Sequence, residues 1–391
     1  MQILQISPTY KPAYIYGGVT VSISLLCETL ATQGHDVTVL STTANGKEDL
    51  QAHTHEPAWV DGVKTFYFPC LTKGTKQFSP PMLWWLWHNV QRFQVVHLHS
   101  WWNFDALFSA MICRIRGVKP IFSPRGMLSQ YSTKGVLRRF FNRTFGRFAL
   151  KYSYLHATAP KELIECLPII PDWKHIVLPN LMVVPNIENI NTRASASNGD
   201  MGKASQNYLF FSRIHPKKGL ENLFEALAKL PFEWTLTIAG DGDEQYIQSL
   251  KNKAEKLDIY LKINWIGWVN STDKYTFLQK ADIMLLPSFN ENFANVVIES
   301  LAVGTPVMIS RQTGLSDYIE KEDLGWICDT SVLSIYETLI KTYVEKEKYD
   351  AIAARGAACI QRDFAPSVLA QQYVRFYEKC IGFKAKKSKN L

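Results

Sequence analysis

The sequence predicts an α/β protein built from two Rossmann-like domains. Short apolar runs alternate with helix-like segments along the 391 residues, which is the pattern of parallel sheets wound with helices. The length exceeds what one ordinary hydrophobic core needs and suits two domains. A polar stretch rich in small residues, 191–206, interrupts the alternation near the middle of the chain. We therefore predict domains at 1–190 and 207–362, followed by a C-terminal segment at 363–391.

The first domain is expected to open on a strand, and a crossover helix over Val19–Gln33 then ends at Gly34. Apolar runs bounded by turn residues indicate the strands of this domain. The predicted strands are Ile3–Ser7, Asp36–Leu40, Gly62–Pro69, Val95–His99, Pro120–Pro124, Tyr154–Ala157 and Leu181–Pro185.

The second domain repeats the alternation. Its predicted strands are Tyr208–Ser212, Trp234–Ala239, Ile263–Ile266, Ile283–Leu286 and Val307–Ser310, and its predicted helices are Leu220–Leu230, Glu244–Lys256, Thr272–Lys280 and Asn295–Val303. Ligands of open parallel sheets bind outside the carboxyl ends of the strands. A cleft in which the two domains face each other is therefore the expected site.

Composition excludes several classes of protein. Hydrophobic residues make up 47% and charged residues 20%, as in ordinary soluble domains, which argues against disorder. No apolar run approaches the roughly 18 to 20 residues that span a bilayer, and the first residues lack the charged start of a signal peptide. The seven cysteines are scattered without a Cys-x-x-Cys pair, so neither a disulfide framework nor a zinc site is expected. We expect a cytoplasmic protein.

Positive charge is concentrated in the first half of the chain. Residues 1–190 hold 18 Lys and Arg against 11 Asp and Glu, whereas residues 191–391 hold 25 against 24. This excess favours an anionic partner at the first domain, such as a membrane surface, a pyrophosphate-linked acceptor or nucleic acid. No recognised nucleic-acid-binding motif is present, so we expect no nucleic acid. The absence of a Gly-x-Gly-x-x-Gly fingerprint also argues against a nicotinamide cofactor.

Two glutamates, Glu291 and Glu299, lie on either side of the start of the helix predicted after strand Ile283–Leu286. A helix N-terminus presents unpaired backbone N–H groups, which suit phosphate or sugar hydroxyls. Glu299, about one turn inside the helix, could accept two hydrogen bonds from a ribose diol. The alternative is that both glutamates are solvated surface charges.

The segment Glu291-Asn-Phe-Ala-Asn-Val-Val-Ile-Glu299 resembles the Glu-x7-Glu motif of glycosyltransferase family 4, retaining enzymes of GT-B fold. The resemblance implies that Glu299 binds the ribose of a sugar nucleotide and that Glu291 lies against the donor sugar. It also implies that the backbone amides of Phe293, Ala294 and Asn295 contact the sugar or the diphosphate. Where the family usually has Gly-Phe-Gly, this chain has Asn-Phe-Ala.

Further stretches carry the same resemblance. Ser212-Arg-Ile-His-Pro-Lys-Lys-Gly219 is similar to the family's Gly-Arg-Leu-x3-Lys-Gly, and implies that Arg213 and Lys218 bind the donor diphosphate. The alternative is that these are solvated loop charges. Gly17-Gly18 resembles the glycine loop that reaches the donor from the first domain, and Gly240 matches a strand end of the nucleotide domain. Both glycine matches could also be plain turns.

The acceptor side is expected in the first domain. His99 stands where the family often has a histidine facing the cleft, although a histidine at a strand end is as often structural. Arg125 occupies a place where many members have histidine before glycine. This departure indicates a different contact, either with an acidic acceptor or with the donor pyrophosphate.

Residues 134–152 contain six basic residues and no acidic one. As a single helix, the segment would carry one basic and one aromatic face, which is typical of helices that lie on anionic membranes. The alternative is that the aromatic face packs on the domain. The basic face would hold Arg139, Arg143, Arg147 and Lys151, and the aromatic face Phe141, Phe145, Phe148 and Tyr152; Lys384, Lys386, Lys387 and Lys389 of the tail would add weak attraction.

The resemblance covers nearly the whole chain and implies that the last helix, after Asp363-Phe-Ala-Pro366, crosses back to the first domain. It implies transfer of a hexose-type sugar from a nucleoside diphosphate donor to a hydroxyl of a glycan or lipid-linked acceptor, with retention of configuration. Surface polysaccharide synthesis (lipopolysaccharide O-antigen, capsule or exopolysaccharide) is the expected setting, on the inner face of a membrane where the enzyme is peripheral.

We expect no cofactor and no metal, because Arg213, Lys218 and helix amides would stabilise the leaving diphosphate and because we expect no Asp-x-Asp at a strand end. The resemblance favours front-face attack, in which the donor phosphate accepts the acceptor proton. Whether Glu291 is a nucleophile, an electrostatic stabiliser or a positioning group stays open. The alternatives are a catalytically silent sugar-nucleotide binder or another GT-B enzyme, either an inverting transferase or a sugar-nucleotide epimerase.

Overall fold

The chain folds into two compact units. The first comprises Met1–Val183 together with Phe364–Leu391, and the second comprises Val184–Asp363. The predicted linker lies outside the described residues except for its last two positions. The computed structural model describes residues 1–46, 48–52, 54, 56–72, 77–129, 132, 135–183, 205–270 and 273–388.

The first unit is built on an eight-stranded sheet in the order β10-β9-β8-β7-β1-β2-β6-β5, with a separate two-residue ladder between β3 and β4. The strands are β1 (Gln2–Ile6), β2 (Asp36–Thr42), β3 (Ala44–Asn45), β4 (Glu48–Asp49), β5 (Ala58–Val60), β6 (Val63–Phe68), β7 (Val95–His99), β8 (Ile121–Ser123), β9 (Tyr154–Ala157) and β10 (His175–Val177). Strand β5 pairs antiparallel with β6, and the other pairings in this sheet are parallel.

In the described part of the chain before the second unit, the α-helices are α1 (Gly18–Thr32), α2 (Pro80–Asn89), α3 (Phe104–Ile115), α4 (Val136–Phe141), α5 (Arg147–Leu150) and α6 (Pro160–Cys166). Strands β1 and β7 are buried almost throughout, as expected of strands covered on both faces. The core between β7, β8 and α3 is strongly aromatic, because Trp101 packs edge-on against Phe122 and Phe122 stacks on Trp173.

The second unit is built on a six-stranded parallel sheet in the order β13-β12-β11-β14-β15-β16. Its strands are β11 (Gln206–Phe211), β12 (Trp234–Ala239), β13 (Ile263–Gly267), β14 (Ile283–Leu286), β15 (Val307–Ser310) and β16 (Gly325–Cys328). Its helices are α7 (Leu220–Leu227), α8 (Glu244–Lys256), α9 (Lys274–Lys280), α10 (Asn295–Ala302), α11 (Ser316–Glu322), α12 (Val332–Val344) and α13 (Lys348–Phe364). These two sheets confirm the predicted α/β class.

The last helix, α14 (Pro366–Ser388), returns to the first unit, which confirms the predicted crossover. Pro366 ends α13 and starts α14, because proline cannot continue a helix but suits the first turn of a new one. Tyr373 and Tyr377 on α14 are fully buried, and α14 packs against α1 and β7. Among the described helices none, α14 included, is both long and apolar enough to cross a membrane.

One predicted strand is wrong. The described part of Leu181–Pro185 pairs with no other strand, although Leu181 and Met182 are buried. The strand that completes this edge of the sheet is β10, which pairs with β9 and was not predicted. An apolar run indicates that residues are buried, but it does not show that their backbone pairs in a sheet. The edge strand β10 begins with an exposed histidine, so it does not stand out as an apolar run.

The single helix expected over 134–152 is also wrong. A π-helical turn, Asn142–Gly146, separates α4 from α5 and changes the helical phase. The expected aromatic face is therefore divided: Phe141 packs against Trp101 and Trp102, while Phe145 and Phe148 are 62% and 54% exposed. Lys134 and the side chains of Arg139 and Arg143 lie outside what the structure describes.

Candidate active site

Lys218 is held at the end of β11 by a tight turn. A 3₁₀ turn, Pro216–Lys218, follows the strand, and His215 caps it by accepting a hydrogen bond from the Lys217 amide at 3.1 Å. Gly219 then adopts a left-handed conformation with φ of 76°, and a Cβ there would lie 2.4 Å from the Pro287 carbonyl oxygen. Glycine at this position therefore lets the lysine turn pack directly on the end of β14.

Both lysines of this turn contact the carboxylate of Glu291. Lys218 Nζ forms a short salt bridge with Glu291 Oε1, and Lys217 Nζ lies 3.5 Å from the same oxygen. The Lys218 and Glu291 side chains are only 9% and 12% exposed. Burial acts to raise the pKa of Glu291, but the two lysines outweigh it and hold the pKa below its usual range. Glu291 is thus an ionised carboxylate in a largely buried ion pair.

The backbone of Glu291 is fixed by the segment that follows β15. The Glu291 amide donates to the Gln312 carbonyl at 3.1 Å, and the Gly314 amide donates to the Glu291 carbonyl at 2.9 Å. These two bonds form a short parallel bridge between Glu291 and Thr313. Sequence reasoning missed this support, which fixes the carboxylate relative to β14 and β15 together.

Arg213 lies on a loop that packs against a glycine turn. A Cβ on Gly240 would lie 1.9 Å from the Ser212 carbonyl oxygen, and one on Gly242 would lie 2.1 Å from the Ile214 carbonyl oxygen. The Ile214 amide also donates to the Asp241 carbonyl at 2.8 Å. The two glycines therefore bring the Arg213 loop against the end of β12, while the Arg213 side chain remains exposed.

The same turn carries an Asp-x-Asp pair, Asp241 and Asp243, just after β12, so the expectation that no Asp-x-Asp stands at a strand end is wrong. Asp243 caps α8 by accepting from the Tyr246 amide at 3.0 Å, and Asp241 accepts from the Gly242 amide at 2.8 Å. Both carboxylates thus have local backbone partners. Within the described ranges, no group of three or more His, Cys, Asp or Glu side chains is arranged to hold a metal ion.

Glu299 lies inside α10 and is paired with Lys274 of α9. Their side chains meet at 2.7 Å and are 14% and 18% exposed, respectively. Burial, and then the charge of Glu299, raise the pKa of the neighbouring Tyr275. Sequence reasoning predicted Glu299 but missed Lys274, since a lysine on a preceding helix carries no local signal.

The N-terminus of α10 starts at a strained residue. Ala294 is the N-cap and adopts a left-handed conformation with φ of 65°, which is uncommon for residues other than glycine. Its side chain makes no capping hydrogen bond. Phe293 is buried, and Asn295 begins the helix. The second glycine of Gly-Phe-Gly is thus replaced here by an alanine that keeps a glycine-like backbone.

In the first unit, the predicted donor-contacting glycines lie at the start of α1. Gly17 has a φ of 76° and is the N-cap, and Gly18 is the first helical residue. The preceding 3₁₀ turn, Tyr14–Tyr16, leaves Tyr14 and Ile15 exposed. The requirement for glycine at Gly17 comes from its backbone, because a Cβ there would meet no atom within 4 Å.

The two acceptor-side residues are in direct contact. Arg125, in the left-handed region at φ of 54°, extends one terminal nitrogen to within 3.2 Å of His99 Nδ1 and donates a short hydrogen bond from the other to Asn180. His99 and Arg125 are 1% and 7% exposed. Burial, and then the charge of Arg125, keep the pKa of His99 well below its usual range, so the ring is neutral. Sequence reasoning missed Asn180.

Two family models match this chain. The model of glycosyl transferases group 1 matches residues 200–358, and the model of the glycosyl transferase 4-like domain matches residues 17–180. Between them they cover most of both units, including Lys218, Glu291 and Glu299. The chain belongs to glycosyltransferase family 4.

Relatives of this family 4 glycosyltransferase include proteins of known activity. Phosphatidyl-myo-inositol mannosyltransferase of Mycobacterium tuberculosis is 26% identical over 396 residues, which is 95% of each chain. A lipopolysaccharide core biosynthesis glycosyltransferase of Rhizobium meliloti is 27% identical over 164 residues, which is 42% of this chain and 47% of the relative.

A solved structure shows the same fold. The HepE protein of Anabaena, in complex with UDP and glucose, superimposes with a TM-score of 0.72 at 17% identity, covering 97% of this chain and all of the other. At that identity the likeness shows the GT-B fold alone. The present chain is therefore a glycosyltransferase of GT-B type, as the sequence predicted.

Proposed function

We propose that this enzyme transfers a hexose from a nucleoside diphosphate sugar to an acceptor hydroxyl with retention of anomeric configuration. The observation that carries this proposal is the largely buried Lys218–Glu291 pair at the carboxyl edge of the second sheet. Lysine and arginine at this edge suit a diphosphate, and a fixed carboxylate suits the hydroxyls or the developing charge of a sugar. Glu299, inside the adjacent helix, is the proposed ribose contact.

The charges of the cluster support an anionic donor. Lys217 and Lys218 contact the one carboxylate of Glu291, and the charge of Arg213 acts on Lys218, which leaves an excess of two positive charges. The pKa of His215 is lowered first by burial and then by these same three cations, which is a sign of their common field. A nucleoside diphosphate sugar carries two negative charges on its phosphates, so donor binding would balance the cluster.

In the proposed step, the bond between the anomeric carbon and the diphosphate oxygen breaks while the acceptor oxygen bonds to the same face of that carbon. The acceptor proton passes to the departing phosphate oxygen, and the nucleoside diphosphate leaves. Arg213, Lys218 and the backbone amides at the start of α10 would stabilise the charge that gathers on the leaving group. We propose that this set replaces a metal ion and that no cofactor takes part.

The setting we propose is surface polysaccharide synthesis, such as lipopolysaccharide O-antigen, capsule or exopolysaccharide. The Rhizobium meliloti relative acts in lipopolysaccharide core biosynthesis, and the acceptor-side residues His99 and Arg125 lie in the unit with the larger positive charge. The acceptor would be a glycan or a lipid-linked glycan.

The proposal is tested first by donor binding. A panel of UDP-, GDP-, ADP- and dTDP-sugars is screened by thermal shift, because a ligand at about 100 times its Kd stabilises the native state by roughly 2.7 kcal/mol. One donor class should raise the melting temperature of the wild type. The Lys218→Ala variant should lose that shift, while the Lys262→Ala variant on the same unit should keep it.

The stereochemical part needs a separate experiment. Transfer or hydrolysis of the bound donor is followed by proton NMR of the first-formed product, before mutarotation. An α-linked donor should give an α-product if configuration is retained. A β-product would show an inverting enzyme, and release of an epimerised sugar nucleotide would show an epimerase. Binding without any turnover would indicate the catalytically silent protein.

A membrane contact through α4 and α5 is a second proposal, and exposed aromatic side chains support it. Val136, Phe140, Phe145 and Phe148 are between 54% and 84% exposed. Such side chains beside basic residues are typical of proteins that lie on the headgroup region of an anionic bilayer. The neighbouring basic side chains are Arg114, 4.0 Å from the Phe148 ring, and Arg138, 5.1 Å from the Trp102 ring.

Vesicle flotation tests this contact. The wild type should float with vesicles containing phosphatidylglycerol and should bind them less as salt rises, because the attraction is screened. Reversing Arg138 and Arg147 to Glu should reduce binding at least fivefold. Reversing exposed Lys229 and Lys256 of the second unit is the matched control for net charge. Equal loss in both variants would contradict a localised membrane face.

A further inference from the structure

A directional chain of hydrogen bonds runs through the first unit and ends on Arg125. One end is fixed by the Leu178 carbonyl, which can only accept. It lies 3.0 Å from His156 Nε2. The Tyr373 hydroxyl is also 3.0 Å from that nitrogen but donates its own proton to the Pro179 carbonyl, so His156 carries its proton at Nε2 and its Nδ1 is an acceptor. His97 Nε2, 3.2 Å from that Nδ1, must therefore be protonated, which makes His97 Nδ1 an acceptor in turn. It receives the Tyr377 hydroxyl proton at 2.9 Å.

The chain then continues through a glutamine. The Tyr377 oxygen accepts from Gln5 Nε2 at 3.2 Å, and Gln5 Oε1 accepts from His99 Nε2 at 2.7 Å. His99 Nδ1 is left as an acceptor, and Arg125 lies 3.2 Å away. Arginine can only donate. Both ends of the chain therefore demand the same direction, and every donor and acceptor between them has one assignment.

The three histidines must be neutral for this chain to exist, and their environment keeps them so. Burial lowers the pKa of His97 and His99 well below the usual range and that of His156 to about 3. The charge of Arg125 acts in the same direction on all three. Arg125 is thus the charged end of a relay whose other members are uncharged.

No carboxylate among the described residues contacts the guanidinium of Arg125. Its partners, Asn180 and His99, are both neutral, and its Nε is buried without a partner in the described part of the chain. The carboxylate of Glu162 is engaged elsewhere, by the Gly126 amide at 2.5 Å and by the amide and hydroxyl of Thr158. Burying an arginine in this way is costly unless an anion completes the site.

The position of Arg125 indicates what that anion belongs to. The residue follows β8 and contacts the end of β7, at the carboxyl edge of the sheet where ligands of such folds bind. We propose that Arg125 binds an oxyanion of the acceptor, a phosphate or a carboxylate, and that Gln5 and Tyr377 are positioning residues that hold His99 and Arg125 ready for it. The assignment to the acceptor rests on the proposed transferase function.

Oxyanion binding is tested by thermal shift in a protein without its donor cations. In the Arg213→Ala/Lys218→Ala background, inorganic pyrophosphate should still raise the melting temperature above a sodium chloride control of equal ionic strength. Adding Arg125→Gln should abolish that shift, whereas adding Arg147→Gln, an exposed arginine of the same unit, should preserve it. A shift that survives Arg125→Gln, or no shift in the parent, would overturn the proposal.

Glucuronate in place of pyrophosphate distinguishes the two sources of the anion. A shift with pyrophosphate alone assigns the site to a phosphate group, and one with glucuronate assigns it to the carboxylate of an acidic acceptor sugar. Failure of the proposed transferase function would appear separately, as absence of any donor-dependent shift in the wild type. Because the oxyanion test uses protein without donor cations, its outcome does not depend on that result.

The positioning role is tested without disturbing Arg125. Tyr377→Phe removes both bonds that this hydroxyl makes in the relay, with His97 and with Gln5, and frees Gln5 to rotate, so pyrophosphate affinity should fall about tenfold. Tyr67→Phe is the matched control: this buried hydroxyl of the same unit donates to the Lys11 carbonyl, and its loss breaks no bond of the relay. Equal effects of the two variants would contradict a relay.

Nitrogen NMR of histidine-labelled protein reads the relay directly. His97, His99 and His156 should each be neutral and protonated at Nε2 in the wild type. In Tyr377→Phe, His97 Nδ1 loses its hydrogen-bond donor, so its nitrogen resonance should shift while the fold survives. A wild-type His99 protonated at Nδ1 would overturn the assigned direction, and this readout does not require the Arg125 variant to fold.

Discussion

The Lys218–Glu291 pair gives the sharpest prediction for the second unit, in the form of a double-mutant cycle. Lys218→Met keeps the length of the side chain and removes its charge, and Glu291→Gln does the same for the carboxylate. Because the two side chains are only 9% and 12% exposed, removing one partner leaves a largely desolvated charge. Breaking a buried pair in this way costs about 3 to 5 kcal/mol.

The geometry refines that magnitude for each single variant. In Lys218→Met, Glu291 keeps Lys217 at 3.5 Å, but that lysine side chain is 27% exposed and its attraction is weakened by solvent. We expect a loss of about 2 to 4 kcal/mol. In Glu291→Gln the buried ammonium of Lys218 keeps no carboxylate, so about 3 to 5 kcal/mol is expected. The free energy of unfolding lost by the double variant should be smaller than the sum of the two single losses by roughly 2 kcal/mol or more.

Urea unfolding followed by fluorescence gives the free energies, and native-state hydrogen exchange of β11 and β14 amides assigns them to the second unit. The exposed pair Lys262–Glu233, 3.3 Å apart with side chains 38% and 68% exposed, is the matched control. Its cycle should couple by less than about 1 kcal/mol. If the Lys218–Glu291 coupling is no larger than that of the control pair, the argument from burial is refuted.

Three further predictions address the donor site and the first unit. Glu299→Ala should weaken donor binding about tenfold to a hundredfold by calorimetry, since it removes the proposed ribose acceptor; unchanged affinity would refute that role. Gly240→Ala should destabilise the second unit by more than 1 kcal/mol in urea unfolding, because the new Cβ would lie 1.9 Å from a carbonyl oxygen. Burial lowers the folded-state pKa of His97, His99 and His156. Below about pH 6.5 the unfolded chain therefore binds more protons, and stability falls with acidification by roughly 1.4 kcal/mol per pH unit for each histidine; a flat unfolding profile between pH 6.5 and 4 would contradict neutral rings.

The fold was predictable where strands are buried on both faces. Continuous apolar runs predicted Trp234–Ala239, Ile283–Leu286 and Val307–Ser310 with their observed bounds. Strand β10 was not predicted because an edge strand with an exposed histidine has no such run. Leu181 and Met182 were predicted to lie in a strand because they are apolar, but they are buried without pairing in the sheet. The pattern of apolar residues in a short stretch therefore predicts burial well, but it predicts poorly which strands pair by hydrogen bonds.

The site was predictable where a motif is contiguous and unpredictable where its support is distant. The spacing from Glu291 to Glu299 and the Arg213–Lys218 loop both appear in short stretches of sequence. Contacts between distant parts of the sequence do not appear in this way. Lys274, the partner of Glu299, belongs to another helix, and Gln5 of the first unit contacts Tyr377, which is 372 positions away in the sequence. Such pairs form only when the sheet and the returning helix α14 bring the elements together.

The ion pair also bears on the part that Glu291 plays, which the sequence left open among three roles. Lys218 and Lys217 both contact one oxygen of Glu291 and hold the pKa of the carboxylate low, which makes it a weaker nucleophile. A donor diphosphate would compete for those same lysines, so the carboxylate would gain freedom only as the donor binds. Its backbone is meanwhile fixed by Gln312 and Gly314. The donor phosphates would thus replace the Glu291 carboxylate as the partner of the lysines. A rigid carboxylate released in this way suits positioning of the sugar and stabilisation of its developing positive charge better than covalent attack, and we favour that role.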